Sequence, residues 1–157
     1  MKEQLLPSDS QLEGLMAKVP LVLFAEDDDE DWLLMSEVLE EDCEVNMDIE
    51  RVSDGDTLLT RMQDTEKPSP NLVMLDLKMP RMDGLEALQE IRKLAGLKGI
   101  TPVIIMTTSN LETDIVKSYK TGANSYVVKP VDHEKMGEAL RTMHKYWVEV
   151  AQLPRRL

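Results

Sequence analysis

Cysteine is almost missing from this chain: Cys43 is the single one among 157 residues. One thiol cannot close an intramolecular disulfide, which fits a reducing compartment, so a cytoplasmic location is expected. Cys43 itself reads as a small buried or half-buried hydrophobe. Basic residues are scarce as well, 18 Lys and Arg against 30 Asp and Glu, for a net charge of −12. That balance repels a phosphate backbone, so no nucleic-acid partner is expected, while basic partners stay open. No apolar stretch approaches the ~20 residues that cross a bilayer, and the first residues lack a signal peptide's basic-then-apolar pattern. No membrane association is therefore expected. A GxxxxGK[ST] loop is also wanting, which excludes a P-loop nucleotide site.

What is present is ordinary in bulk and regular in pattern. With 42% hydrophobic and 31% charged residues, the chain suits one domain around a single sizeable core. Residues 1–19 read as a polar N-terminal leader, either a short helix (Leu12, Leu15, Met16) or disordered. Residues 20–150 form the domain, and 151–157 a C-terminal tail. Short apolar runs predict strands at Leu21–Ala25, Val45–Val52, Leu72–Leu75, Val103–Met106 and Ser125–Val128. Between them fall helical spacings: Trp32, Met35, Val38 and Leu39; then Leu58, Leu59 and Met62; then Leu85, Leu88, Ile91 and Leu94. A fourth carries Leu111, Ile115, Val116 and Tyr119, and a last one Met136, Leu140, Met143, Trp147 and Val150. Asp54, Asp83, Asn110 and Asp132 stand where N-cap acceptors are wanted, and Gly122 where a left-handed C-terminal residue falls. Strands alternating with helices imply an α/β fold: a doubly wound parallel sheet covered on both faces, order 2-1-3-4-5 if the first strand is central.

In such sheets the working crevice lies beyond the carboxyl ends of the strands. The first strand runs into six consecutive acids, Glu26 to Asp31. Either these are a solvated helix N-terminus favoured by the macrodipole, or part of the run holds a hard cation. The third strand ends on Asp76, the fourth on Thr107-Thr108-Ser109, the fifth on Lys129-Pro130. Three acids, a hydroxyl and an ammonium at one rim point to a common site. A divalent metal held by Glu26, Asp27 and Asp76 relieves the carboxylate repulsion and leaves positions for phosphoryl oxygens. Lys129 supplies a point charge and Thr107 a hydrogen bond to further oxygens. Asp76 is then a nucleophile that forms an acyl phosphate.

Four segments carry a family resemblance: Glu26-Asp27-Asp28, Leu75-Asp76-Leu77-Lys78-Met79-Pro80-Arg81-Met82-Asp83-Gly84, Met106-Thr107-Thr108-Ser109 and Tyr126-Val127-Val128-Lys129-Pro130. Over roughly residues 20–150 the chain resembles the receiver domain of two-component response regulators, a flavodoxin-like (βα)5 fold. The resemblance implies that Asp76 is the phosphoacceptor, Glu26 and Asp27 the acidic metal pair for Mg2+ (or Mn2+), and Lys129 the family's lysine. It implies further that the Lys78 backbone carbonyl contacts the metal, that Thr107 and Tyr126 are the switch pair, and that Lys129-Pro130 is a cis peptide. The implied partner is a sensor histidine kinase or phosphotransfer protein, and the only catalysis is self-directed. The tail Tyr146 to Pro154 is similar to that of stand-alone regulators paired with phytochrome-type kinases, with no DNA-binding output domain.

The remaining residues divide between function and packing. Lys78 either shields an acyl phosphate from water or is a solvated lysine, and Ser109 either modulates hydrolysis or lines the opposite rim. Asp28 to Asp31 read as the cap and first turn of the next helix. The apolar helix end Tyr146–Val150 overruns a compact domain, which predicts a homodimer. His133 and His144 read as surface histidines. An aspartyl-nucleophile phosphohydrolase wants a second Asp two residues on, where Lys78 stands. A flavodoxin-type cofactor module wants a phosphate-cradling loop after the first strand, where Glu26–Asp31 stand.

Overall fold

The computed structural model describes residues 8–9, 19–41 and 46–154. Cys43, Val45 and nearly all of the leader, with the readings made of them, lie outside the described residues. Five parallel strands, β1 (Leu21–Ala25), β2 (Asp48–Val52), β3 (Leu72–Leu75), β4 (Val103–Thr107) and β5 (Ser125–Val128), form one sheet in the order 2-1-3-4-5. The flanking helices are α1 (Asp29–Glu41), α2 (Gly55–Gln63), α3 (Gly84–Arg92), α4 (Glu112–Thr121) and α5 (His133–Met143). The predicted α/β, doubly wound, flavodoxin-like architecture is the one observed. No helix among the described residues is long and apolar enough to cross a membrane.

The apolar strand patterns explain the layering. β1, β3 and β4 are buried along nearly their whole length, as central strands of a sheet covered on both faces must be. Alternate residues serve opposite layers. Leu23, Ala25, Val73, Leu75, Val103 and Ile105 pack with Leu58, Met62, Leu88 and Ile91 of α2 and α3. Val22, Phe24, Leu72, Met74, Ile104 and Met106 pack with Met35, Val38, Leu39, Met136, Leu140 and Met143 of α1 and α5. β2 is an edge strand carrying Asp48, Glu50 and Arg51, and its first described strand residue is Asp48. In the register Leu23 lies between Glu50 and Val73, which brings the ends of β1 and β3 level.

Local signals set the helix starts. Asp54, Asp83 and Asp132 cap α2, α3 and α5 through side-chain oxygens that accept backbone N–H groups. Gly122 ends α4 at φ +114°, a conformation that glycine adopts without a Cβ penalty. Asn110 does not cap α4: the cap position is Leu111, and the Ser109 hydroxyl accepts its N–H at 3.3 Å. Ser109 is buried and anchored to Asp114, so it reaches the helix start that exposed Asn110 does not. α4 also turns Ser118 inward and leaves Leu111, Val116 and Tyr119 exposed. Ser118 is satisfied by the Asp114 carbonyl at 2.7 Å and lets the helix lie close.

After α5 the chain winds into a wider, π-type turn, His144–Val150. Trp147 and Leu153 fold back onto the second core layer while Tyr146 and Val150 stay exposed. His144 is not a surface residue. It is buried, with Nε2 accepting the Asn46 N–H at 3.2 Å and Nδ1 3.7 Å from Glu149. The wide turn rotates the imidazole inward, where a backbone donor satisfies it. His133 is exposed, as predicted.

Candidate functional site

The sheet register assembles the site. Glu26 N–H donates to the Val52 carbonyl at 3.0 Å and Asp76 N–H to the Ala25 carbonyl at 3.0 Å, so both acids are the first residues beyond adjacent strands. Lys129 N–H donates to the Thr107 carbonyl at 2.7 Å, which fixes the fourth and fifth strand ends in the same way. Lys129–Pro130 is trans, correcting the implied cis bond. Trans is the lower-energy isomer of an X–Pro bond, and with it the ammonium already reaches the acids.

Gly84 closes the floor. A Cβ there would lie 2.2 Å from the Asp76 carbonyl oxygen, so only glycine lets α3 start against the loop that carries Asp76. The Asp83 cap and the Gly84 N–H, which donates to the Leu77 carbonyl at 2.9 Å, hold that loop in place.

Lys129 is the hub. Its ammonium donates to a Glu26 carboxylate oxygen, to Asp76 Oδ2 at 2.8 Å and to Asp31 Oδ2 at 2.9 Å. The Lys129 side chain is 4% exposed and Glu26 2%. Burial on its own would lower the Lys129 pKa, but its hydrogen bonds to Asp76, Glu26 and Asp31 outweigh it and the pKa rises, so the ammonium is firmly charged. Burial drives Glu26 the other way for a carboxyl, up to about 8; Lys129 opposes the rise and Asp76 adds to it. The remaining Asp76 oxygen, Oδ1, accepts the Lys78 N–H at 3.1 Å.

Asp27 faces solvent at the mouth. Oxygens of Glu26, Asp27 and Asp76 lie within 4.8 Å of one another. The three side chains form an all-oxygen donor set, and at this spacing it fits a hard divalent cation. A larger concavity of about 450 Å3, lined by Val38, His133, Glu134 and Arg141 among others, lies between α1 and α5 and shares no residue with this cluster.

On the far rim, Thr107 is fully buried and its hydroxyl has no hydrogen-bond partner. Tyr126 packs on the first core layer and its hydroxyl donates to the Ser109 carbonyl at 2.9 Å. Burial and the nearby carboxylates raise its pKa, so the phenol is protonated and donates. Ser109 Oγ donates to Asp114 Oδ2 at 2.5 Å. The Lys78 side chain is exposed.

The structure thus brings Glu26, Asp27, Asp76 and Lys129 together, and sets the end of β4 beside Lys129. Two contributors escape the sequence reading. Asp31 belongs to the hub as well as to the first turn of α1. Arg51 braces the end of β1, donating to the Glu26 carbonyl at 3.0 Å and to Asp29 at 2.8 Å. The spacing held a signal for Asp31, which stands three residues past Asp28, the acceptor of its N–H at 2.9 Å. A side chain three residues past a cap leans back toward the helix start, here toward the strand ends.

Comparison with known proteins agrees with this geometry. Residues 22–141 match the family model described as the response regulator receiver domain. The chain is 32% identical over 138 residues to response regulator Rcp1 of Synechocystis sp., covering 85% of this chain and 92% of that one. The crystal structure of the Mn(2+)-bound form of Rcp1 superposes with a TM-score of 0.79 at 31% identity, covering 87% and 99% of the two chains. The phosphorylated cyanobacterial phytochrome response regulator RcpA gives a TM-score of 0.79 at 28% identity, with 87% and 99% covered. A response regulator in red light signalling of R. palustris gives 0.78 at 33% identity, with 88% and 100% covered.

Proposed function

The chain belongs to the response regulator receiver domain family, and from that premise we propose that it accepts a phosphoryl group on Asp76 from a sensor histidine kinase or phosphotransfer protein. The observation that carries the reading is the pairing of Asp76 with the buried Lys129 ammonium at 2.8 Å, within reach of a divalent-cation donor set.

Each residue then has a task. An oxygen of Asp76 attacks phosphorus in line with the phosphohistidine P–N bond; that bond breaks, and its electron pair returns to the imidazole nitrogen. Glu26, Asp27 and Asp76, with the Lys78 carbonyl, would hold Mg2+ (or Mn2+), which supplies positive charge to the phosphoryl oxygens when bound. As Asp76 is phosphorylated its carboxylate charge disappears and the Lys129 ammonium turns to a phosphoryl oxygen. The Thr107 hydroxyl, without a partner in this state, donates to another. Moving Thr107 inward opens space that the Tyr126 ring follows, which releases the hydroxyl from the Ser109 carbonyl and alters the β4–α4 surface. Water attack on the same phosphorus returns the chain to its starting state. No separate substrate is turned over.

A kinase of the phytochrome type is supported by the relatives whose names carry that word. Exposed Tyr146 and Val150 at the end of the chain's last helical segment support a homodimer. Sedimentation that shows a monomer at every concentration, phosphorylated or not, removes the dimer. A cytoplasmic site of action follows from a kinase partner of this class. The reading itself is tested by incubation with acetyl phosphate and magnesium. Wild type gains one phosphoryl group and Asp76→Asn gains none; equal labelling of the variant ends the assignment.

A further inference from the structure

An ammonium has three protons to donate, and in this structure all three Lys129 bonds are directed to carboxylates: Glu26, Asp76 and Asp31. A phosphoryl oxygen can be bound only if one of the three lets go. Two of them have a reason to. Asp76 gives up its carboxylate charge when it is phosphorylated, and Glu26 belongs to the donor set that fits a cation. Asp31 is outside that set and is not phosphorylated, so neither event releases its bond to Lys129.

We propose that Asp31 is a positioning residue that competes with the incoming phosphoryl group for the Lys129 ammonium, and so limits how readily the site is filled. The inference rests on the phosphoacceptor reading above. The competition has a geometric basis. Asp31 stands in the first turn of α1, with its N–H on Asp28 Oδ1, and its partly exposed carboxylate lies 2.9 Å from the Lys129 ammonium. It also adds negative charge where a dianionic group arrives. Asp29, in the same turn, supplies the control: its carboxylate engages Arg51 at 2.8 Å and makes no contact with Lys129.

The test is binding of trifluoroberyllate, a tetrahedral phosphoryl mimic, at saturating Mg2+. For a partly exposed competitor such as Asp31, Asp31→Asn should bind about two- to fivefold more tightly than wild type. Asp29→Asn should bind as wild type does. Without metal, the Lys129 ammonium protons should exchange faster with water in Asp31→Asn only. Unchanged or weaker binding by Asp31→Asn overturns the proposal, as does an equal gain in both variants, which would reduce the effect to net charge. Unchanged ammonium exchange overturns it as well. If wild type fails to bind the mimic at all, the phosphoacceptor reading falls and this inference falls with it; binding by wild type without a gain in Asp31→Asn removes the inference alone.

Discussion

Thr107→Val should stabilise the resting protein while crippling its response. Thr107 is fully buried at the end of β4, and its hydroxyl finds no partner. A buried hydroxyl without a hydrogen bond forfeits its hydration and costs about 1–3 kcal/mol. Valine has nearly the same shape, suits a strand and removes that polar atom. The expected gain is therefore about 1 kcal/mol, which for a chain of this size raises Tm by roughly 2–4 °C. The assay is urea unfolding at fixed pH, with and without Mg2+ and trifluoroberyllate. Wild type should gain more from the mimic than Thr107→Val does, because only wild type has a hydroxyl to offer it. A variant that is clearly less stable than wild type at rest would mean that the hydroxyl is already well bonded. An equal response of both proteins to the mimic would refute the assigned role.

Three further outcomes can be measured. In metal-free protein, Glu26 titrates near 8 against an ordinary 4.5, so the native state binds more protons than the unfolded chain between those values. Stability should accordingly fall as pH rises through that window, by at most about 1.4 kcal/mol per pH unit, and Glu26→Gln should flatten the slope in denaturant titrations. Asp27→Ala should weaken Mg2+ affinity by about tenfold or more, because it removes one of three carboxylates; isothermal titration with unchanged affinity would remove Asp27 from the donor set. Arg92 donates to the carbonyls of Gly99, Thr101 and Gly122 and to the Asn124 side chain. Arg92→Met should cost about 2–3 kcal/mol in urea unfolding and leave trifluoroberyllate affinity intact, since the clamp lies away from the carboxylates.

The fold was legible because its signals are local. Unbroken apolar runs mark β1, β3 and β4 as central, and Asp54, Asp83 and Asp132 cap the helices that their positions predict. The site was legible where strand ends supply it, because a parallel sheet carries every strand's carboxyl end to one rim. Legibility failed where a side chain's partner depends on how two elements meet. His144 looks like an ordinary polar residue near the end of a helix, and only the wide turn after Met143 points it at Asn46. Asn110 is a better cap than Leu111 by residue type, yet Ser109 already occupies the helix start. Asp31 reads as one acid of six favoured by the helix dipole, and its bond to Lys129 spans 98 residues of sequence. The run Glu26–Asp31 thus has three kinds of member: cation-donor candidates at 26 and 27, a cap at 28, and a ligand of Lys129 at 31.

Every role assigned to the residues of the rim depends on Asp76 becoming an acyl phosphate. Its most direct test is borohydride reduction after incubation with acetyl phosphate and Mg2+, followed by peptide mapping. Homoserine is expected at position 76 and at no other aspartate, with none formed when Mg2+ is withheld. Homoserine at a different position, or an unmodified residue 76 in protein that has taken up phosphoryl groups, would contradict it.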